Sequence, residues 1–459
     1  MTLQGVNYHK LQSMALPVGM VSICSAVGLV ATYVGLTQPI IGAGIAYVFG
    51  FLILAWYRPE IALMLCFAIA PLQNDLSGDR DTESHGKFSI SEVNIMLTSL
   101  VFAAKCVQAR RWPSMGALAI PMFLHFAVCT FSSIQHWRAN TNVSMIQMVL
   151  YMVITLMLFK SMAKVGEDFH LALHGLAIVG VLLAIASLSQ TASTIGLSKN
   201  GIGASIASSV VVGAELWSRS KSRRGRWLLG VAVLIMSAGL LQTLSRGAWL
   251  STLTAIVTIC LIRRDYRLLL RLLLLMGPLL AICWLALPDK SKEYATGFTS
   301  DHENIRARYV SMGYALDKFS QNPAYGLGVG LRKEYDATNI VFATLAETGV
   351  LGLATFLLIH VVLFVVMFRT QAQLSPSDPV YSLPALGAGL LFGKLINGMV
   401  DHYWSRGALT MAWAAAGMSL SAAHWVYLRN KQQRRAAVQK AAARSVAAQR
   451  NLVGGGAAQ

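Results

Sequence analysis

Apolar residues along this chain fall in runs long enough to cross a bilayer, each ended by a short polar or charged break. About 20 apolar residues span a membrane as a helix, and on that measure about fourteen segments are predicted. They centre on residues 16–35, 39–57, 60–72, 91–108, 116–134, 143–161, 169–189, 201–217, 227–244, 248–262, 268–287, 340–368, 380–400 and 407–428. The third is short and almost nothing separates the pair meeting at 244–248, so the expectation is about twelve to fourteen spans. The first segment has no small-residue cleavage site and is followed at once by another span, so it reads as a retained helix.

One interval breaks this rhythm. Residues 288–338 make a connection of about 50 residues, and connections that long are uncommon unless functional. Within it Asp301 can cap a helix, and Ile305, Tyr309, Met312, Leu316 and Phe319 recur at helical spacing as one apolar stripe. The stripe can lie on the outer bilayer surface or on the bundle, with Arg306 and Arg308 projecting off it. Pro323 ends the helix, and Tyr325-Gly326-Leu327-Gly328-Val329-Gly330 follows. Alternate glycines such as Gly326 and Gly328 let backbone amides approach an anion, or simply build a tight turn. The chain thus divides into N-terminal helices (1–287), this loop (288–338), C-terminal helices (339–428) and a basic tail (429–459) expected to be disordered.

Composition sharpens the class. The chain is 55% hydrophobic and only 13% charged, against about 25% charged for a soluble domain. That excludes a disordered chain, a nucleic-acid-binding basic domain and an ordinary cytosolic enzyme. The fold class expected is all-α, a polytopic helical bundle. The net charge is nevertheless +18, from 38 Lys and Arg against 20 Asp and Glu. The excess sits on alternate connections: Lys105, Arg110 and Arg111; Lys160 and Lys164; Arg219 to Arg226; Arg263, Arg264 and Arg267; and a tail without a single acid. The positive-inside rule then puts these and both termini in the cytoplasm, and 288–338 outside. The six cysteines all lie in or beside apolar runs without zinc or redox spacing, and read as small buried hydrophobes.

A few cations stay on the outer side against this bias, and charge so close to a bilayer is a functional hypothesis by default. Ser245-Arg246-Gly247-Ala248-Trp249 joins two spans. Asp401-His402-Tyr403-Trp404-Ser405-Arg406 sets a carboxylate, an imidazole and a guanidinium in one hinge. Lys199-Asn200 opens a span, and His136 and Arg138 occupy a further turn. Interfacial anchoring, with arginine snorkelling and tryptophan in the aromatic belt, is the plainer explanation for each alone. Four such loops together also suit a lipid-linked diphosphate, because guanidinium pairs bidentately with phosphate oxygens. No acidic pair of Mg²⁺-site character accompanies them, Asp75 being the one loop carboxylate beside the 60–72 segment. Neither metal nor cofactor is expected, and no nucleic acid.

The Arg246-Gly247-x-Trp249 step, the large outer loop, the Pro323-x-x-Gly326-x-Gly328 run, and Asn339 with Leu345 and Glu347-Thr348-Gly349 resemble the bacterial O-antigen ligases. These are grouped with the O-antigen polymerases in one superfamily of polytopic glycosyltransferases. The resemblance implies a GT-C-like bundle in the inner membrane with a periplasmic site. It also implies transfer of O-antigen polysaccharide from undecaprenyl diphosphate to the lipid A core oligosaccharide, without metal or nucleotide and with inversion. By the same resemblance Arg246 matches the Arg-Gly motif, and Arg306 or Arg308 the loop arginines that meet the diphosphate. Lys199, Asn200, Arg138, Thr338, Arg406, Gly326 and Gly328 are the further candidates for contacting substrate, and Asn339, Asp401 and His402 complete the catalytic set. The family usually shows His-Asn where this chain has Thr338-Asn339, so a base assigned to that His does not carry over; His402, Asp401 or His302 could fill the role. An O-antigen polymerase or an O-linked protein oligosaccharide ligase would use the same donor and differ only in acceptor. A lipid-linked sugar transporter remains a separate reading, although no internal repeat is seen.

Overall fold

The computed structural model describes residues 38–72, 89–162, 167–191, 199–286, 289, 292, 303–335, 337–404 and 406–454. The predicted span at 16–35, Asp75, Asp301 and His302 lie outside them. Helices α1 (Pro39–Tyr57), α2 (Pro59–Ala68), α3 (Ile90–Ala109), α4 (Ala119–Gln135) and α5 (Thr141–Ser161) are followed by α6 (Glu167–Leu188), α7 (Lys199–Arg219), α8 (Arg223–Gln242), α9 (Arg246–Arg263) and α10 (Tyr266–Ala286). After the long connection come α11 (Glu303–Gln321), α12 (Ile340–Gln371), α13 (Ser382–Asn397) and α14 (Arg406–Gly454). The described residues contain no strand. Eight helices, α3 to α9 and α12, are long and apolar enough to cross a membrane. The predicted segments at 39–57 and 60–72 are present as the shorter apolar helices α1 and α2.

Local sequence sets many of the boundaries. Ser89 and Glu92 form a reciprocal capping box at the start of α3, satisfying amides that the helix itself leaves unpaired. Arg110 and Arg264 close α3 and α9 in the left-handed conformation. Within α5, Val149–Thr155 is wound as a π-helix.

Helix α13 is at the centre, buried along nearly its whole length between α9, α12 and the first turns of α14. Its seam with α9 is made by small residues. A Cβ added at Gly389 would lie 2.8 Å from the Ala255 carbonyl oxygen, and one at Gly393 2.8 Å from that of Ser251. Membrane helices associate through such close approach, since lipid supplies no hydrophobic drive between them.

The two ends of this core carry different residues. At one end Arg263 pairs with Glu215 and donates to the Ser382 carbonyl at 3.0 Å, while Arg219 reaches Pro376 and Arg429 reaches Asp378. At the other end lie Arg246, Asn339, Asp401 and the glycine-rich run. These are the two sets that charge placement assigns to opposite sides of the membrane, and they do separate along α9 and α13.

Helix α12 is broken at Gly349, whose φ of 65° and ψ of −166° no helix contains. The groups freed there are met by the incoming loop. Val350 N–H donates to the Pro323 carbonyl at 2.9 Å, and Leu327 and Gly328 N–H donate to Ala346 and Glu347 carbonyls at 2.9 Å. Non-helical backbone inside a span is tolerated only with such protein partners.

Two expectations are sharpened. The apolar stripe of α11, open between the bilayer surface and the bundle, is divided: Tyr309 is 63% and Leu316 45% exposed, Ile305, Met312 and Phe319 are half-buried, and Ser311 and Ala315 are buried. Small residues let α11 approach α12, while Tyr309 and Leu316 face outward. The tail expected to be disordered continues α14 as helix to Gly454, because it is built of Ala, Gln, Lys and Arg, strong helix formers.

Candidate functional site

The α8–α9 reversal takes three residues. Leu244 adopts a φ of 52°, a conformation costing about 1–3 kcal/mol for a residue with a side chain. The Thr243 hydroxyl accepts the Ser245 N–H at 3.3 Å. Ser245 is then the N-cap and half-buried Arg246 the first helical residue, at the positive end of the helix dipole. Trp249 fixes the reversal by donating its indole N–H to the Leu240 carbonyl at 3.0 Å.

Gly247 explains itself by what it touches. A Cβ there would come 2.8 Å from Asn397 Nδ2, 3.3 Å from Val400 Cγ2 and 3.7 Å from Asp401 Cβ. The start of α9 therefore lies directly against the turn that follows α13. On its other flank a Cβ at Gly203 would be 2.8 Å from Ser245 Cβ, so α7, opened by Lys199 and half-buried Asn200, borders the same place.

In that turn the side chains alternate. Asp401 is buried, and its Oδ1 accepts the His402 N–H at 2.8 Å. His402 is exposed, and its carbonyl accepts Lys394 Nζ at 2.9 Å. Lys394 is only 4% exposed, lies over the Tyr403 ring and interacts electrostatically with Asp401. Tyr403 points inward, its hydroxyl 3.4 Å from His360 Nε2, and burial pushes its phenol pKa up. Trp404 stacks beneath the Arg332 guanidinium at 4.1 Å.

Asn339 ties α12 to this turn. Its Oδ1 accepts the Val341 and Phe342 N–H groups at 2.9 and 3.3 Å, while Nδ2 donates to the Met399 carbonyl at 2.8 Å. The Ile340 N–H donates to the Gly398 carbonyl at 2.7 Å. Thr338 beside it is buried. Both polar atoms of the Asn339 side chain are thus engaged within the fold.

The glycine-rich run is a tight turn rather than an open anion cradle. Its three glycines all have positive φ, and its amides are spent within the protein. Gly326 N–H goes to Asn322, Gly328 N–H to the Glu347 carbonyl and the Ser132 hydroxyl, and Val329 N–H to the Ser133 hydroxyl. Gly330 and Arg332 N–H groups both donate to Glu347 Oε1 at 2.9 Å. Gly326 and Gly328 consequently offer no amide to a substrate phosphate. Arg138 also differs from expectation: it binds both Glu334 oxygens at 2.7 Å and the Leu327 carbonyl at 3.2 Å, clamping this turn.

Arg306 is exposed and Arg308 half-buried on the first turns of α11. The side chains of Lys199 and Arg406 lie outside the described residues. Lys394, Glu347 and Arg332 are the residues that sequence reasoning passed over as participants. Lys394 and Glu347 are lone charges inside apolar segments, and that signal was available; Arg332, in a loop, carried none.

Beside the Arg246 reversal an apolar cavity of about 480 Å³ lies between α8, α9 and α10. Trp249, Leu253, Ile256, Leu240 and Leu273 are among its lining residues. Arg246 therefore stands within one helical turn of a space suited to an aliphatic chain.

Residues 231–357 match the sequence model described as O-antigen ligase, a stretch running from α8 past the break in α12. No curated protein matches the chain. The family implies a lipid-linked polysaccharide substrate and a multi-pass membrane protein. The match over 231–357 gives the chain a domain similar to the O-antigen ligase family, and it supports a ligase or polymerase type of function in general terms.

Proposed function

We propose that the chain is an O-antigen ligase, transferring O-antigen polysaccharide from undecaprenyl diphosphate to the core oligosaccharide of lipid A at the periplasmic face of the inner membrane. What carries this reading is the meeting of the Arg246-Gly247 step, the Asp401-His402 turn and the Asn339 cap at one end of the bundle, beside an apolar cavity. A donor of this class has two unlike parts, and such a site suits both: a diphosphate at the guanidinium and an isoprenoid chain in the cavity.

In the reaction an acceptor sugar hydroxyl attacks the anomeric carbon of the donor sugar. The new C–O bond forms as the bond to the diphosphate oxygen breaks, inverting the centre, and the electron pair leaves on the diphosphate. Arg246 and the positive end of α9 would neutralise that charge, joined by Arg306 or Arg308 from α11; preorganised cations of this kind supply the largest share of such catalysis. The hydroxyl proton passes to His402 or Asp401, and exposure favours His402 as the group a substrate can reach. Lys199, Asn200, Thr338 and Arg406 would border the sugars, and no metal takes part.

Reconstitution in proteoliposomes with a polyprenyl-diphosphate-linked glycan tests this against three acceptors: core lipid A, a second lipid-linked glycan, and a serine-rich protein. Product on core lipid A, undiminished by EDTA, is expected. Product on the lipid-linked glycan alone would make the protein a polymerase, and loss of product on chelation would overturn the metal-free reaction.

A further inference from the structure

The end of the bundle opposite Arg246 has a second cavity, of about 470 Å³, between the last turn of α12 and α14. From its chemistry we propose that it is a binding site for the headgroup of an anionic phospholipid, held by Lys431, Arg434 and Arg435. All three line the cavity and all three are exposed. With Tyr427 they recur at helical spacing along one face of α14, and Lys431 Nζ lies 6.0 Å over the Tyr427 ring.

No carboxylate is among the described residues lining this space. The nearest acid in the α12–α13 connection, Asp378, is already bound by Arg429 at 2.9 Å and by the Ser375 N–H at 2.7 Å. Three positive charges therefore face a cavity for which the described residues supply no anion. A bound anion satisfies them, and bidentate guanidinium pairing makes phosphate the favoured kind.

The order of residues along the helix distinguishes a lipid from a free phosphate. Ala423, Val426 and Tyr427 line the part nearer the buried bundle, and the cations follow one to two turns later. From residue 423 to residue 435 the helix rises about 18 Å, passing from apolar to cationic. A phospholipid presents the same sequence, glyceride first and phosphate beyond it, at a boundary where basic pockets attract anionic headgroups.

The test uses the full-length protein in nanodiscs of phosphatidylethanolamine containing a minor fraction of phosphatidylglycerol or diphosphatidylglycerol, with retained lipid counted by native mass spectrometry. Retention of the anionic lipid over phosphatidylethanolamine is expected. It should fall at least tenfold when Lys431→Gln, Arg434→Gln and Arg435→Gln are combined. A control with Arg223→Gln, Arg224→Gln and Lys440→Gln removes the same charge elsewhere and should retain the lipid. Equal retention in the first variant, or equal loss in the control, would overturn the site. Displacement of the lipid by inorganic phosphate would overturn the lipid assignment in favour of a free-anion site.

Discussion

Arg332 and Glu347 form a buried ion pair, Nη1 to Oε2 at 2.7 Å, at the end of the bundle where the Arg246, Asn339 and Asp401 segments meet. The second Glu347 oxygen receives two backbone amides from the turn that holds Arg332. The anion that the glycine-rich turn encloses is thus a side chain of the protein. Truncating one member of a buried pair leaves the other uncompensated and costs about 3–5 kcal/mol. Glu347→Ala should lower the thermal unfolding midpoint in detergent more than Glu347→Gln, since the glutamine oxygen can still accept the two amides. Equal losses would show that the amide contacts contribute nothing.

Gly328 has a φ of 91°, and a Cβ there would lie 2.6 Å from the His136 carbonyl oxygen. Gly328→Ala should destabilise by well over about 1 kcal/mol, while Gly313→Ala on α11, with nothing within 4 Å, should be neutral or stabilising. Unfolding midpoints of the two variants side by side are the measurement.

Asn339 caps α12 and holds the Met399 carbonyl at once. Asn339→Ala loses both, about 0.5–2 kcal/mol from the cap alone. Asn339→Asp keeps the cap and sets a carboxylate against a carbonyl oxygen, so it should fold better than the alanine variant while leaving the 397–401 turn displaced. Limited proteolysis within that turn would report the displacement.

Arg246→Lys keeps the charge but removes the planar fork. Ligation is expected to fall by about 10²–10³-fold, the usual effect of losing one preorganised donor, with expression unchanged. Gly247→Ala pushes a methyl group towards Asn397 and should impair activity without altering any charge. Normal lipopolysaccharide ladders in both variants would sink the assignment of this step to catalysis.

Leu253 lines the apolar cavity beside Arg246. Leu253→Trp would fill part of that space and should raise the KM for a long-chain polyprenyl donor more than for a short-chain analogue. An equal change for both would remove the cavity from donor binding.

Much of the bundle was legible because a span announces itself by length and apolarity, and α3 to α9 and α12 begin and end within a few residues of the expected breaks. That Arg219, Arg263 and Arg429 lie at the other end of the bundle from Arg246 and Asp401 was equally legible in the alternation of charged connections along the sequence. The packing of α11 was not, because periodicity marks a helical face without saying what covers it; Ser311 and Ala315 are buried there, while Tyr309 and Leu316 are exposed. Gly326 and Gly328 illustrate a different limit. Alternate glycines permit amides to gather round an anion, yet only the fold brings Glu347 and Ser132 to those amides. Arg138 likewise reads as a stray outer cation until Glu334, far along the chain, is seen against it.

Ser132 receives the Gly328 N–H, and Ser133 the Val329 N–H, each across 196 positions of sequence. During synthesis α4 enters the bilayer with both hydroxyls waiting for a turn that does not yet exist. Closure of so long a loop is entropically unfavourable and slow, and it can begin only after α5 to α11 have been made. A chain truncated before residue 328 would leave the Ser132 and Ser133 hydroxyls without these amides, and the Arg246-Gly247 step without the 397–401 turn it packs against.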